Sequence, residues 1–237
     1  MKKYTRALMV GVGAVLALGT FTACSSGTTE QAATTTETTT AAATTTAAAM
    51  PEMADFIAEV QKPDGSTMTM AIAVEGENVV AYATNGTNNE TYLFGTQKDG
   101  QMELMSMYAD EVKASFDGSN INGEMAMNDE GATVQKFAAT RVEAPAGMYT
   151  AARDNSRATW IVRPNNTTVG VMDNSAPGDH KVTDAIEAKN QAYKDSVRQK
   201  RLDRQLQQAP QLQMDTMEAD MNGSMMPVTR VTGSMSF

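Results

Sequence analysis

Few residues in this chain of 237 could carry out covalent or acid–base chemistry. Cys24 is the single cysteine and His180 the single histidine, so neither an intrachain disulfide nor a zinc site of His and Cys ligands can form. A Ser-His-Asp triad would have to recruit His180 from the polar turn at 177–180, and the chain has no Gly-x-Ser-x-Gly elbow. We therefore expect an exposed or capping His180, and predict no catalytic residue, no metal site and no cofactor.

The start of the chain has the pattern of a signal peptide. Lys2, Lys3 and Arg6 precede an uncharged run at 7–20, and a positive segment followed by an apolar one directs export. The apolar run is about 14 residues long, whereas a helix that spans a bilayer needs roughly 20. The pattern favours a cleaved signal over a retained transmembrane helix.

The four residues at the end of this segment indicate whether Cys24 is lipidated. Phe21-Thr22-Ala23-Cys24 resembles the lipobox of bacterial lipoproteins, in which a cysteine receives diacylglycerol before the signal peptide is cut. The resemblance implies removal of residues 1–23 and a lipid-anchored Cys24 on the extracytoplasmic face of the cell membrane, although Phe21 departs from the usual Leu. The alternative is an ordinary secretory signal that leaves Cys24 as a free thiol.

Residues 24–50 predict a disordered tether behind the anchor. Positions 25–49 are Ser, Thr, Ala and Gly, apart from Glu30, Gln31 and Glu37. Such a segment cannot bury enough apolar surface to offset its ordering entropy. Its Thr clusters resemble the O-glycosylated stalks of exported actinobacterial lipoproteins, while its alanines favour some helix.

Residues 51–175 predict a β-rich domain, because apolar residues alternate with polar ones between Gly, Asp and Asn clusters. The alternation places Met68, Met70, Ile72 and Val74 on one face of a strand. Eight short strands are expected, around 56–60, 68–74, 79–84, 92–96, 102–106, 112–116, 121–127 and 133–139.

The short Gly and Asp clusters between these strands predict tight hairpin turns. Asp64-Gly65, Asp117-Gly118 and three similar clusters supply residues that tolerate positive φ. Strands joined in this way favour a small antiparallel meander that closes into a barrel or a sandwich and so removes its exposed edges. With 19 Met and one Trp, much of the core is expected to be methionine used for packing rather than for binding metal.

Three segments at the end of the domain resemble one group of proteins. Positions 144–151, 159–164 and 168–171 contain a Gly-Met-Tyr step, a Trp-Ile-Val strand and a short strand after it. They resemble small surface lipoproteins of mycobacterial or rhodococcal type, over about residues 54–172. The resemblance implies the location and a β-meander, and it implies no catalytic residue.

Residues 180–209 predict one helix that carries a basic cluster. Asp179 or Thr183 would cap it, and Pro210 would end it. We expect its basic residues to form a solvated face, with a contact to anionic headgroups or cell-wall polymer as the alternative. Nucleic acid is not an expected partner, because the helix lacks interleaved aromatic residues. The basic residues of the second half are Lys194, Arg198, Lys200, Arg201 and Arg204.

The rest of the chain predicts a flexible tail and an uneven charge. Residues 210–237 place scattered methionines among Gln, Gly and Ser, a composition typical of a flexible tail that has some capacity for copper(I). Residues 51–150 contain 16 acidic and 5 basic side chains, a net charge of −11, whereas 151–209 contain 7 acidic and 10 basic, a net charge of +3.

These patterns favour a non-enzymatic lipoprotein whose β-domain binds or scaffolds a cell-wall polymer or an envelope protein. A carboxylate-dependent hydrolase of cell-wall glycans is the alternative from another class, and it needs two acids within about 10 Å of each other in a cleft. A lipid carrier is a third hypothesis, and it needs an apolar cavity inside the barrel.

Overall fold

The computed structural model of the chain describes residues 49–129, 131, 133–176 and 190–237. Several predictions lie outside these residues: the signal peptide 1–23, Cys24, the linker up to residue 48, His180, and the expected helix caps Asp179 and Thr183.

The first eight strands form a closed antiparallel barrel in which each strand pairs with the next. The first and last strands close the ring through Asp55 opposite Val142 and Ile57 opposite Thr140. The predicted mainly β meander is therefore confirmed, as a barrel. The strands are β1 (Met53–Gln61), β2 (Thr67–Glu75), β3 (Asn78–Thr84), β4 (Glu90–Lys98), β5 (Gln101–Met105), β6 (Glu111–Phe116), β7 (Asn120–Ala126) and β8 (Gln135–Val142).

The predicted turns have the backbone geometry that their residues favour. Gly65 and Gly118 have φ of 82° and 106°, values that a residue without Cβ adopts at little cost. The Asp64 and Asp117 carboxylates accept hydrogen bonds from the backbone N–H groups two residues on. Turn chemistry therefore sets the lengths of these two hairpins.

Apolar side chains fill the barrel interior. Alternate residues of every strand point inward, and Phe56, Ile72, Leu93 and Ile121 are fully buried there. The predicted face of β2, with Met68, Met70 and Val74, belongs to this interior cluster. An eight-stranded barrel leaves just enough space for such side chains, so the interior is a packed core.

Eight more strands and one helix follow the barrel. The strands are β9 (Gly147–Arg153), β10 (Ser156–Val162), β11 (Thr168–Asp173), β12 (Leu206–Gln208), β13 (Leu212–Gln213), β14 (Glu218–Asp220), β15 (Met225–Pro227) and β16 (Thr229–Arg230), and the helix is α1 (Gln191–Leu202).

Five of these strands form a second sheet in the order β12-β11-β10-β9-β16. One face of this sheet packs on the outside of the barrel, where Met148 and Ile161 contact the cluster that contains Tyr82 and Tyr92. The predicted domain 51–175 is thus a barrel and most of a separate sheet. Alternation alone did not show where the first sheet ended.

The predicted helix 180–209 was too long at its C-terminal end. The described part of α1 begins after Asn190, whose side chain accepts a hydrogen bond from the Ala192 N–H, and Asp203 follows it as the C-cap. Leu206 then pairs with Asp173 as the edge strand β12. Pairing with β11 satisfies the backbone groups of this segment better than a solvent-exposed helix end would. Residues 181–189 lie outside the described part of the chain.

The prediction of a flexible tail at 210–237 was wrong. Strands β13, β14 and β15 form a three-stranded sheet, and Leu212, Ala219 and Met221 are buried against the outer face of the second sheet together with Trp160. The Trp160 Nε1 donates a hydrogen bond of 2.8 Å to the Pro210 carbonyl. Burial of this apolar face holds the segment in place.

Candidate functional site

The polar residues that lie deepest in the molecule gather at one end of the barrel, which we call the rim. The rim is the end that carries the β1–β2, β3–β4, β5–β6 and β7–β8 connections. Antiparallel order brings Glu90, at the start of β4, and Asp110, just before β6, to this same end. Both carboxylates are buried.

Asp110 is the most enclosed acid of the rim, with no exposed surface. Its carboxylate accepts hydrogen bonds from the Ser106 hydroxyl at 2.8 Å and the Asn128 N–H at 2.8 Å, and from the Thr91 hydroxyl. It also forms an ion pair with Arg201. Burial alone would raise the pKa of Asp110, but the arginine and these donors together hold it below its ordinary value.

Arg201 reaches this acid from the last turn of α1. Its Nη1 donates to Asp129 at 2.8 Å, and its guanidinium lies 4.9 Å from the centre of the Tyr108 ring. Within the described residues, its Nε has no hydrogen-bond partner. The neighbouring acids raise the pKa of Arg201 despite its burial, so the group stays charged.

Arg204 makes a second ion cluster beside the first. Its guanidinium pairs with Glu90 and, at 2.7 Å, with Asp173 on β11. The Tyr82 hydroxyl donates to the other Glu90 oxygen at 2.6 Å. Burial raises the pKa of Glu90 even with these partners. Burial opposes ionisation of Asp173 too, but Arg204 and the Ser175 donors lower its pKa overall.

Both apolar and polar contacts attach α1 to the rim. Val197 packs against Tyr108 and Ala109 in a small hydrophobic cluster. Val197 and Arg201 are the two buried side chains among its described residues. The Asn128 side chain donates to the Lys194 carbonyl at 2.7 Å, and Arg198 Nε donates to the Asn128 carbonyl at 3.1 Å. The ion pairs of Asp110 with Arg201 and of Glu90 with Arg204, which we call the rim cluster, add polar contacts to this apolar packing.

The predicted solvated basic face of this helix was wrong for Arg201 and Arg204. Their side chains are 6 % and 5 % exposed and neutralise internal acids. Lys194 lies 3.7 Å from Glu111, while Lys200 is exposed. The cluster thus complements the acidic barrel, because burial of Glu90 and Asp110 requires nearby cations.

The acids of the rim do not form the cleft that a glycan hydrolase needs. Glu90 and Asp173 approach each other closely enough to share Arg204 Nη2. They are only 4 % and 1 % exposed, however, and their charges are already paired. A substrate would have to displace Arg204 to reach them.

Open polar surface lies instead on the outside of the barrel, in what we call the outer groove. The C-terminal segment at 233–235 and strands β4 to β6 border a cavity of about 590 Å³. A second, shallower cavity of about 580 Å³ adjoins it and shares Thr96, Glu103 and Lys113. Further lining residues are Asn78, Phe94, Lys98, Gln101, Met105, Glu111, Ser115, Asn122, Ser234 and Met235.

A row of alternating charges runs through the groove and beyond it. The strand register places Glu103 opposite Lys113, Lys113 opposite Glu124, and Glu124 opposite Lys136. Among the described residues, Glu103 and Lys113 have no ion pair within 4.0 Å. Glu103 and Lys113 are therefore available to a ligand in the groove, and Glu124 and Lys136 lie outside it.

The described residues show neither a metal-binding cluster of His, Cys and acidic side chains nor a membrane-spanning helix. That part of the chain contains no group of three or more His, Cys, Asp and Glu side chains placed to hold a metal ion. Nor does it contain a helix with the length and apolar character to cross a bilayer.

Sequence reasoning missed the rim cluster and the outer groove. The one signal that pointed to the cluster was the contrast between the acidic segment 51–150 and the basic segment 151–209. The groove depends on β4–β6 and on the residues at 233–235 that border it, and no local pattern in the sequence indicates that these meet.

Comparisons with known proteins did not identify a relative. No protein family model, no curated protein and no solved structure matched this chain.

Proposed function

We propose that this protein is a lipid-anchored lipoprotein of the bacterial cell envelope, whose β-domain binds an envelope component without catalysing a reaction. Cys24 would carry the lipid on the extracytoplasmic face of the membrane. The linker 24–50 would act as a tether between the anchor and the folded domain.

The outer groove is the observation that supports a binding role. Side chains fill the barrel interior, so a ligand would bind on the outside. The groove combines the half-buried Phe94 and Met105 with the charged Glu103 and Lys113. Ligand sites commonly join apolar walls to a few polar groups in this way. A polar polymer of the cell wall fits this composition, and an envelope protein is the other candidate.

The anchor is tested by Cys24→Ser in the full-length chain. We expect the variant to leave the membrane fraction, or to accumulate as uncut precursor, because no thiol remains to accept the lipid. Stable attachment needs two or three acyl chains, since a single chain binds reversibly. An unchanged membrane fraction would refute the lipid anchor while leaving the groove untested.

The groove is tested by co-sedimentation with purified peptidoglycan. We expect Glu103→Gln with Lys113→Gln to reduce the bound fraction several-fold, because both charges line the groove. Glu124→Gln with Lys136→Gln is the matched control, since it changes the same row of charges outside the groove and should bind as the unmodified protein does. Equal binding by both variants, or no binding by any, would argue against cell-wall recognition here.

A further inference from the structure

We propose that the rim holds a site for copper(I), in which the thioether sulfurs of Met68, Met125 and Met127 are the ligands. The three side chains line one cavity of about 230 Å³ between the β1–β2 hairpin and the β7–β8 connection. This site is distinct from the outer groove, and it does not depend on the lipid anchor.

The barrel brings these methionines together from distant parts of the sequence. Met68 and Met125 point into the barrel from β2 and β7, and both are 1 % exposed. Met127 follows β7 and is half-buried against the same cluster. The cavity thus opens at the rim and has sulfur-bearing side chains on its wall.

The two carboxylates that line this cavity already have partners. Asp129 pairs with Arg201 at 2.8 Å, and Asp64 accepts hydrogen bonds from the Ser66 N–H and hydroxyl. Calcium takes about six to eight oxygen ligands, whereas two carboxylates line this cavity and both already have partners. Thioethers are soft ligands that select copper(I) among biological metals.

The charge at the mouth also favours a cation. Asp64 and Asp129 line the cavity together with the single basic residue Lys62. The hydrogen bonds from Ser66 lower the pKa of Asp64, so this carboxylate is ionised at neutral pH. Since Asp129 is paired with Arg201, Asp64 is the carboxylate at the mouth that would attract a cation.

Methionines elsewhere in the protein provide a matched comparison. Met70, Met148 and Met172 are also buried, but they do not line this cavity. Replacement of methionine by leucine conserves volume and removes only the sulfur. Two triple variants can therefore separate a ligand role from a packing role.

The experiment is a titration of copper(I) against the chromophoric competitor bicinchoninate under anaerobic, reducing conditions. All proteins carry Cys24→Ser, so that the thiolate does not bind the metal. We expect one equivalent to bind, Met68→Leu with Met125→Leu and Met127→Leu to weaken it by about tenfold or more, and the Met70, Met148 and Met172 leucine variant to bind normally.

Two further measurements keep the proposal open to refutation. Met127→Leu alone changes a half-buried side chain, so it should fold normally and still lose about tenfold in affinity. Methyl-¹³C methionine spectra with silver(I), a redox-stable substitute, should shift Met68, Met125 and Met127 selectively. No saturable binding, equal losses in the two triple variants, or shifts at other methionines would overturn the site.

Discussion

The Arg204 guanidinium forms an ion pair with the carboxylate of Glu90, a residue that precedes it by 114 positions in the chain. The same guanidinium binds Asp173. One side chain thereby connects the first residue of β4, the last residue of β11 and the segment that follows α1. The barrel, the second sheet and the helix meet at this group.

Arg204→Met should destabilise the fold by about 3–5 kcal/mol, because it leaves Glu90 and Asp173 buried without their cation. Urea denaturation followed by circular dichroism measures the free energy of unfolding. Lys200→Met is the control, since that side chain is exposed, and it should stay within about 0.5 kcal/mol of the unmodified protein. A loss below about 1 kcal/mol for Arg204→Met would show that the ion pairs of Arg204 contribute little to stability.

Asp110→Asn should destabilise the protein at neutral pH by about 3 kcal/mol and make its stability less dependent on pH below about pH 4. The pKa of Asp110 is lowered in the folded state. Its contribution is therefore present above the unfolded pKa and is lost as the pH falls through the lower, folded value.

The two acids that pair with Arg204 bear on the same pH titration. Asp173 also has a lowered pKa and acts in the same direction as Asp110. The pKa of Glu90 is raised, so the folded state gains stability relative to the unfolded state as the pH falls through that value. This effect is opposite in sign to those of Asp110 and Asp173. Urea denaturation at a series of pH values gives the free energy of unfolding as a function of pH. In Asp110→Asn the slope of this function should be smaller than in the unmodified protein but not zero. A slope equal to that of the unmodified protein would contradict the assignment.

Leu212→Ala should cost about 2–4 kcal/mol, because Leu212 is buried against the second sheet and its truncation leaves a cavity. Fluorescence of Trp160, the single tryptophan, reports on the same contact during urea denaturation. Met225→Ala provides the comparison, because Met225 lies on β15 of the same small sheet but is 44 % exposed. If Leu212→Ala cost no more than Met225→Ala, residues 210–237 would not pack as described.

Gly95→Ala should destabilise the barrel by about 1–3 kcal/mol. A Cβ at this position would lie 2.1 Å from the backbone oxygen of Glu103, so β4 and β5 would have to separate. Thr96→Ala in the same strand changes an exposed side chain and should have an effect within about 0.5 kcal/mol. Thermal unfolding of both variants measures the difference, and equal midpoints would argue against the close approach at Gly95.

The barrel was predictable because its signals are local. Alternating residues such as Met68, Met70 and Ile72 reveal a strand face within a few positions, and Asp64-Gly65 or Asp117-Gly118 specifies a turn by itself. Neighbouring strands then pair in sequence order. The prediction needed no knowledge of distant contacts.

The remaining structure depends on contacts between residues that are far apart in the sequence. Strands β13 to β16 have two or three residues each, too few for an alternation to show. The local sequence predicts a solvated position for Arg201, because its partner Asp110 lies 91 positions earlier in the chain. The candidate sites likewise join segments from separate strands, as Met68 and Met125 do at the rim.

The order of these segments along the chain has a consequence for maturation. Glu90 and Asp110 belong to the first eight strands, whereas Arg201 and Arg204 come after all of them. Because synthesis proceeds from the N-terminus, the acids emerge well before the cations that neutralise them. Unpaired carboxylates keep their water, so burial of Glu90 and Asp110 has to wait for the two arginines.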